Sequence, residues 1–135
     1  MDIYCVPIET VDDIWSKVEH FFKRVLKKHD TEFTLEDLKE LVLSGKWKLF
    51  ACVDDNNHLD GAFVVSFITH PRAYVAFVTC IGGKAIANPA YYEKFLAILK
   101  AYGANRVQGY VSASVERLYK RLGIMCRTAM LEIKL

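Results

Sequence analysis

The sequence predicts an α+β fold, with a mixed and mostly antiparallel sheet and the element order β-α-α-β-β-β-α-β-α-β. Two segments in the first third of the chain, 11–28 and 35–42, carry apolar residues at spacings of three and four, which is typical of amphipathic helices. From Trp47 to Ile81 the pattern changes to β-branched and aromatic runs that are separated by short turn sequences. The helical period returns after Asn88, so strands and helices alternate in the last third.

The first three elements are a strand and two helices. Residues 2–8 are strand-like, and the helix over 11–28 opens on the acidic pair Asp12 and Asp13, which suits the positive end of a helix dipole. For the second helix, Thr34 is the predicted N-cap, Asp37 stands at the capping-box position and Gly45 is the predicted terminator.

An antiparallel meander follows, made of "KLFACVDD", "LDGAFVVSFIT" and "AYVAFVTCI" with turns at "DDNNH" and "HPRA". The next helix, 89–102, has Asn88 as its N-cap, Pro89 at its first position and Gly103 at its end, and it is expected to pack through Leu96 and Leu99.

The last third contains three more predicted elements: a strand over 106–113, a helix over 115–122 that stops at Gly123, and a final strand over 125–135. Because the helix 89–102 is long enough to be a crossover, the strands 73–81 and 106–113 are expected to run parallel. They are also expected to splay apart at their C-terminal ends.

Composition indicates a single domain over residues 1–135, since 135 residues with 53% hydrophobic and 25% charged content suffice for one core. The net charge of +2 gives no indication of a nucleic-acid partner. The longest apolar run, 61–69, is too short to span a membrane, and the N-terminal residues do not resemble an export signal. A cytoplasmic protein without a membrane partner is therefore expected.

The cysteines and histidines show no metal or disulfide pattern. Cys5, Cys52, Cys80 and Cys126 lie far apart in strand-like apolar settings and are expected to be reduced, buried thiols. No histidine has ligand spacing with a cysteine, so no metal site is expected.

Two motifs near the C-terminus resemble those of the GNAT superfamily of N-acetyltransferases, and the element order matches that family as well. The stretch "SASVERLYKRLGI" is similar to N-x-x-A-x-x-L-Y-x-x-x-G-F, with Ser112 in place of Asn and with Leu118, Tyr119 and Gly123 retained. The stretch "KAYGANRVQGYV" is similar to the junction K-x-x-G-A-x-R-V. The resemblance implies a GNAT-like fold, acetyl-CoA as the acetyl donor and an unidentified acceptor amine.

The same resemblance implies roles for individual residues. Tyr119 corresponds to the tyrosine that protonates the departing thiolate. Where the family pattern [RQ]-x-x-G-x-[GA] places glycines, this chain has Lys84, Ile86 and Asn88, so Gly82, Gly83 and Lys84 are what is left for an anion cradle. The residues implied in donor binding are Thr79, Cys80, Ile81, Gly82, Gly83, Lys84 and Ser112.

Two functions of different classes remain open. The first is an acetyl-CoA-dependent N-acetyltransferase, although "AYVAFVTCI" lacks the carboxylate that many family members use as the base. The second is a non-catalytic, degenerate GNAT-like protein that binds a protein partner, similar to small proteins encoded by tailed bacteriophages. Fold analogy alone does not decide between the two.

Overall fold

The computed structural model describes residues 1–28, 32–84, 88–111, 113–124, 126 and 131–135, except for the side chains of residues 28 and 113–115. Within these residues, five strands form one sheet in the order β1-β2-β3-β4-β5. Strands β1 to β4 pair with one another in antiparallel fashion, whereas β4 and β5 form a parallel pair. The predicted α+β class is confirmed. The elements are β1 (Asp2–Cys5), α1 (Ile8–Lys28), α2 (Leu35–Leu43), β2 (Trp47–Val53), β3 (Leu59–His70), β4 (Ala73–Gly83), α3 (Pro89–Ala101), β5 (Arg106–Gly109) and α4 (Ala113–Arg121).

The sheet separates two layers of helices. Because successive strand residues point to opposite faces, Leu49 and Ala51 of β2 pack with α1 and α2, whereas Phe50 and Cys52 pack with α3. On the α1/α2 face the buried residues are Val6, Val11, Trp15, Val18, Phe22, Leu38, Val42, Leu49, Ala51, Ala62, Val64 and Cys80. On the α3 face they are Ile3, Phe50, Cys52, Phe63, Val65, Ala76, Tyr91, Leu99 and Ala104.

The predicted cap and stop residues match the start of α2 and the ends of α2, α3 and α4. The side chain of Thr34 accepts a hydrogen bond from the Asp37 amide, and the Asp37 side chain accepts one from the Thr34 amide, which completes the capping box. Gly45, Gly103 and Gly123 all have positive φ angles just beyond α2, α3 and α4. Glycine adopts this conformation without the steric cost that a side chain would bring, so the three positions terminate their helices.

Three predicted details of the helices and of β5 are wrong. Helix α1 begins at Ile8 and not at residue 11, because the carbonyl of Pro7 accepts hydrogen bonds from both the amide and the hydroxyl of Thr10. Leu96 is exposed, since the buried side of α3 is formed by Tyr91, Phe95, Ile98 and Leu99 at helical spacing. Strand β5 ends at Gly109 and not at residue 113.

The end of the chain and the cysteines also differ from expectation. Residues 125 and 127–130 of the predicted last strand lie outside the described residues, and its described part, 126 and 131–135, has no strand structure. All four cysteines are free thiols. Cys52 and Cys80 are buried as expected, but Cys5 is half-buried and Cys126 is exposed. Within the described ranges, no helix is long and apolar enough to cross a bilayer.

Candidate functional site

Strands β4 and β5 form an opening at one end of the sheet. They pair only over Val75–Val78 and Arg106–Gly109, and the parallel direction is as predicted. Beyond Val78, β4 continues to Gly83 and stays paired with β3 on its other side. In the described residues, the last part of β4 therefore has no strand pairing on the side of β5.

A β-bulge lies at the point where the two strands part. Val65 pairs with Val78 and Val64 pairs with Cys80, so Thr79 is an extra residue in β4. Its hydroxyl donates to the carbonyl of Val64 at 3.0 Å. The bulge shifts the side-chain alternation, so that Cys80 packs on the α1/α2 face and Ile81 on the α3 face.

The bulge also decides which backbone groups of β4 face the opening. The amide of Lys84 donates to the carbonyl of Asp60 on β3 at 2.8 Å. Because neighbouring residues in a strand direct their N–H and C=O groups to opposite sides, those of Ile81 and Gly83 point away from β3 and towards the opening. An extended ligand with amide groups fits this edge of β4.

Gly82 and Gly83 are glycines for reasons of packing. A Cβ atom at Gly82 would lie 2.5 Å from the carbonyl oxygen of Phe21 in α1, so no side chain fits there. Gly83 has a φ of +83°, and a Cβ atom there would lie 2.4 Å from the carbonyl oxygen of Asp60. Together with the Lys84 amide bond to Asp60, these contacts hold the end of β4 against β3 and α1.

The first amides of α3 have partners within the chain. Pro89 has no N–H group, and the amide of Ala90 donates to the side chain of Asn88 at 3.0 Å. The amides of Tyr91 and Tyr92 donate to the carbonyl of Asn88 at 3.0 and 3.3 Å. A helix N-terminus binds phosphate through N–H groups that lack such partners. The described first turn of α3 therefore does not fit a diphosphate, although Asn88 and Pro89 act as predicted for a helix start.

Sequence reasoning missed a polar pair beside this turn. The hydroxyl of Tyr91, a residue with no exposed surface, donates to Oδ2 of Asp60 at 2.9 Å. Burial, followed by the Asp60 carboxylate, raises the pKa of Tyr91. Asp60 is itself the extra residue of a bulge, because Val53 pairs with Leu59 and Cys52 with Gly61. The sequence signal that could have revealed this pair is an aspartate, Asp60, at the start of an otherwise apolar strand.

Tyr119 lies in a helix, α4, as predicted, and it is half-buried. The helix ends in a Schellman motif, in which Gly123 and Ile124 donate to the carbonyls of Lys120 and Tyr119 at 3.1 and 3.0 Å. Burial and, to a lesser degree, the nearby thiol of Cys126 raise the pKa of Tyr119.

The structure brings together only some of the predicted site residues. Residues 79–84 lie in sequence along the end of β4. In the described part of the chain, no hydrogen bond, ion pair or ring contact joins the Tyr119 side chain to them. Ser112 lies outside the described residues. Among the described side chains, no group of three or more His, Cys, Asp or Glu residues is placed to hold a metal ion.

Similarity to known proteins is found at the level of structure. No family model matches the sequence, and no curated protein sequence matches it. Among solved structures, the tetramutant of the BH1408 protein from Bacillus halodurans is 14% identical, with a TM-score of 0.68 and full coverage of both chains.

Two further similar structures are acetyltransferases by description. One is an aminoglycoside acetyltransferase, meta-AAC0020, from an uncultured soil metagenomic sample, in complex with sisomicin: it is 10% identical, with a TM-score of 0.68 and coverage of 99% of this chain and 95% of that one. The other is a predicted acetyltransferase with acetyl-CoA from Clostridium acetobutylicum, 11% identical, with a TM-score of 0.65 and coverage of 98% and 95%. At such identities the likeness shows the fold alone, and the chain has the fold of the GNAT acetyltransferases.

Proposed function

We propose that the chain transfers an acetyl group from an acetyl-CoA-type thioester to an amine. The observation that carries this proposal is the opening between β4 and β5, which begins at the Thr79 bulge and leaves the edge of β4 without strand pairing in the described residues. The structural likeness to acetyltransferases, one of them described with acetyl-CoA, supports the proposal.

In this proposal the pantetheine arm of the donor lies along β4. The backbone groups of Ile81 and Gly83 that face away from β3 bond its amides, which holds the thioester beside the Thr79 bulge. Placing the amine and the thioester side by side supplies much of the rate, because it removes the entropy cost of their encounter.

The amine attacks the thioester directly in this scheme. Burial raises the pKa of the Cys80 thiol to about 12, so the thiol stays protonated at neutral pH, which argues against an acetyl-cysteine intermediate. Strand β4, AYVAFVTCIGG, carries no acid or histidine and so supplies no base, and in this proposal the amine attacks in its neutral form. Tyr119 is the proposed proton donor to the departing thiolate.

The direct test is calorimetry of the wild-type chain with acetyl-CoA, followed by a thiol-release assay with a panel of primary amines. Binding accompanied by amine-dependent thiol release supports the proposal. A bound ligand must also raise the melting temperature by mass action. Absence of binding and of any thermal shift at millimolar acetyl-CoA refutes the proposal.

A non-catalytic interaction protein is the second candidate, and the surface of β5 and of the two residues after it favours this function. Val107 and Val111 are 42% and 38% exposed, and Tyr110, whose ring contacts Phe77 at 5.3 Å between centroids, is 70% exposed. Apolar residues grouped in this way are typical of a protein contact. This function predicts that acetyl-CoA leaves the melting temperature unchanged.

A further inference from the structure

We propose that the chain forms a dimer in which residues 131–135 of each copy pair, as an added strand, with the open edge of β5 in the other copy. The inference goes beyond the proposed function, and it holds whether or not the chain transfers acetyl groups. It also names a partner for the apolar surface at β5, namely a second copy of this chain. Two parts of the molecule lead to it, the edge of β5 and the 131–135 segment.

The edge of β5 is open in the described structure. Strand β5 is the last strand of the sheet, and it pairs with β4 on one side. In the described ranges of the chain, no strand pairs with its other side. All four residues of β5 are exposed, and Val107 is 42% exposed. A strand edge of this kind, with unpaired backbone groups and an apolar side chain, is a template for pairing with another chain.

The 131–135 segment, LEIKL, has the residue pattern of a strand. Leu131, Ile133 and Leu135 alternate with Glu132 and Lys134, so an extended backbone would carry one apolar face and one charged face. The sequence predicts a strand here for that reason, whereas the structure gives these five residues no strand structure. The single chain therefore contains a strand pattern that no strand pairing satisfies in the described residues.

The single chain also leaves the apolar side of this segment uncovered. Leu131 is 84% exposed, Ile133 is 71% exposed and Leu135 is fully exposed, at 119%. Large apolar side chains that are exposed together are typical of a contact with another molecule. A second copy of the chain brings an open β5 edge of its own, which is the kind of partner that a strand pattern needs.

The two strands match in the order of their side chains. Along β5, Arg106 and Val107 point to opposite faces of the sheet, and in the segment Glu132 and Ile133 do the same. A register that places Ile133 beside Val107 therefore places Glu132 on the same face as Arg106. Apolar neighbours and opposite charges across a strand pair are both favourable. A register shifted by one residue would place apolar residues beside the charged one.

Reciprocal exchange closes the assembly. A two-fold dimer uses the 131–135 segment and the β5 edge of both copies, so neither β5 edge stays open to further chains. The dimer brings together six large apolar side chains, three from each segment, that the single chain exposes. Removal of this apolar surface from water drives the association.

The first test is sedimentation velocity of the full chain from about 1 to about 100 μM, where the mass is expected to rise from monomer to dimer. Ile133→Lys places a charge in the middle of the apolar row and should weaken dimerisation by about tenfold or more. The variant should still fold, because Ile133 is 71% exposed in the single chain. Ile8→Lys is the matched control: Ile8 is an isoleucine that is 48% exposed at the start of α1, and its substitution should leave the dimer unchanged.

A mixture of two variants shows whether the pairing joins different copies. Val107→Glu places a negative charge on the edge of β5, so this variant alone is also expected to dimerise weakly. Mixed with Ile133→Lys, it can form a dimer with one unaltered pairing and one pairing in which the two new charges are opposite. The mixture is therefore expected to form dimers at concentrations at which each variant alone is monomeric.

Three results overturn the inference. The first is a wild-type chain that stays monomeric up to about 100 μM, and amide hydrogen exchange that protects 131–135 in this monomer would show the segment bound to its own chain. The second is a dimer that Ile133→Lys does not weaken, since such a dimer uses another surface. The third is open-ended growth beyond the dimer. All these measurements are made without acetyl-CoA, so they leave the proposed function to its own test.

Discussion

The hydroxyl of Tyr91 donates a hydrogen bond to Oδ2 of Asp60 at 2.9 Å, and this bond fastens the first turn of α3 to the start of β3. The backbone carbonyl of the same aspartate accepts a hydrogen bond from the Lys84 amide at the end of β4. Asp60 therefore holds both ends of the connection between β4 and α3. Asp60 thus helps to fix the position of α3 relative to the opening, in addition to the packing of α3 on the sheet.

Loss of the Tyr91 hydroxyl is expected to destabilise the fold. Tyr91→Phe leaves the ring in the core but removes the donor to the Asp60 carboxylate, so the free energy of unfolding should fall by about 1–3 kcal/mol. Urea denaturation measures the change. Tyr110→Phe is the matched control, since the ring of Tyr110 is 70% exposed and its loss of a hydroxyl should change stability by less than about 0.5 kcal/mol. Equal stability of the Tyr91→Phe variant and the wild type would show that the bond contributes nothing.

The close approach of α1 to β4 gives a second prediction. In Gly82→Ala the added Cβ atom meets the Phe21 carbonyl oxygen at 2.5 Å, so the helix or the strand has to shift, at a cost of about 1–3 kcal/mol of unfolding free energy. Gly109→Ala, with its nearest atom at 3.3 Å, is the control and should cost less. Thermal unfolding of both variants checks this order, and the reverse order would mean that α1 does not pack against Gly82.

The two buried thiols predict how stability depends on pH. Burial raises the pKa of Cys52 and of Cys80 from 9.0 to about 12, and the Asp60 charge adds to the effect at Cys52. The folded chain thus keeps thiol protons that the unfolded chain loses, so the contribution of the two thiols to stability is constant below pH 9 and falls as the pH rises from 9 to 12. The expected slope is up to about 1.4 kcal/mol per pH unit for each thiol.

Urea titrations at pH 8, 9, 10 and 11 measure this slope. Cys80→Ala should reduce it by the contribution of one thiol, whereas Cys126→Ala should leave it unchanged, because Cys126 is exposed in the folded chain. A slope that is the same in all three proteins would refute the assignment to the buried thiols.

Local signals in the sequence predicted most of the fold. The capping box at Thr34, the Asn88 cap and the glycines after α2, α3 and α4 all act within a few residues, and each is found as predicted. The bulges at Asp60 and Thr79 were not predicted, because a bulge depends on the pairing of two strands that are distant in the sequence.

The site was predicted in part for the same reason. The glycines at 82 and 83 suggested an anion cradle, but the structure shows that Phe21 and Asp60 require them, and neither contact is visible in the local sequence. Asn88 and Pro89 were recognised as a helix start. The hydrogen bonds show in addition that Asn88 accepts from the first amides of α3, while Pro89 has no amide to offer. The sequence did not predict this consequence.

Tyr119 provides the test of catalysis itself. A tyrosine hydroxyl is ordinarily protonated at neutral pH, and burial raises the pKa of Tyr119 further, so its hydroxyl carries the proton that the departing thiolate needs. Tyr119→Phe should therefore keep the fold and the affinity for acetyl-CoA, and lower kcat by about tenfold or more. Tyr74→Phe, at the opposite end of β4, is the matched control and should keep the wild-type kcat. Calorimetry and a thiol-release assay separate binding from turnover. Full activity of the Tyr119→Phe variant would show that its hydroxyl serves packing in α4 and not proton transfer.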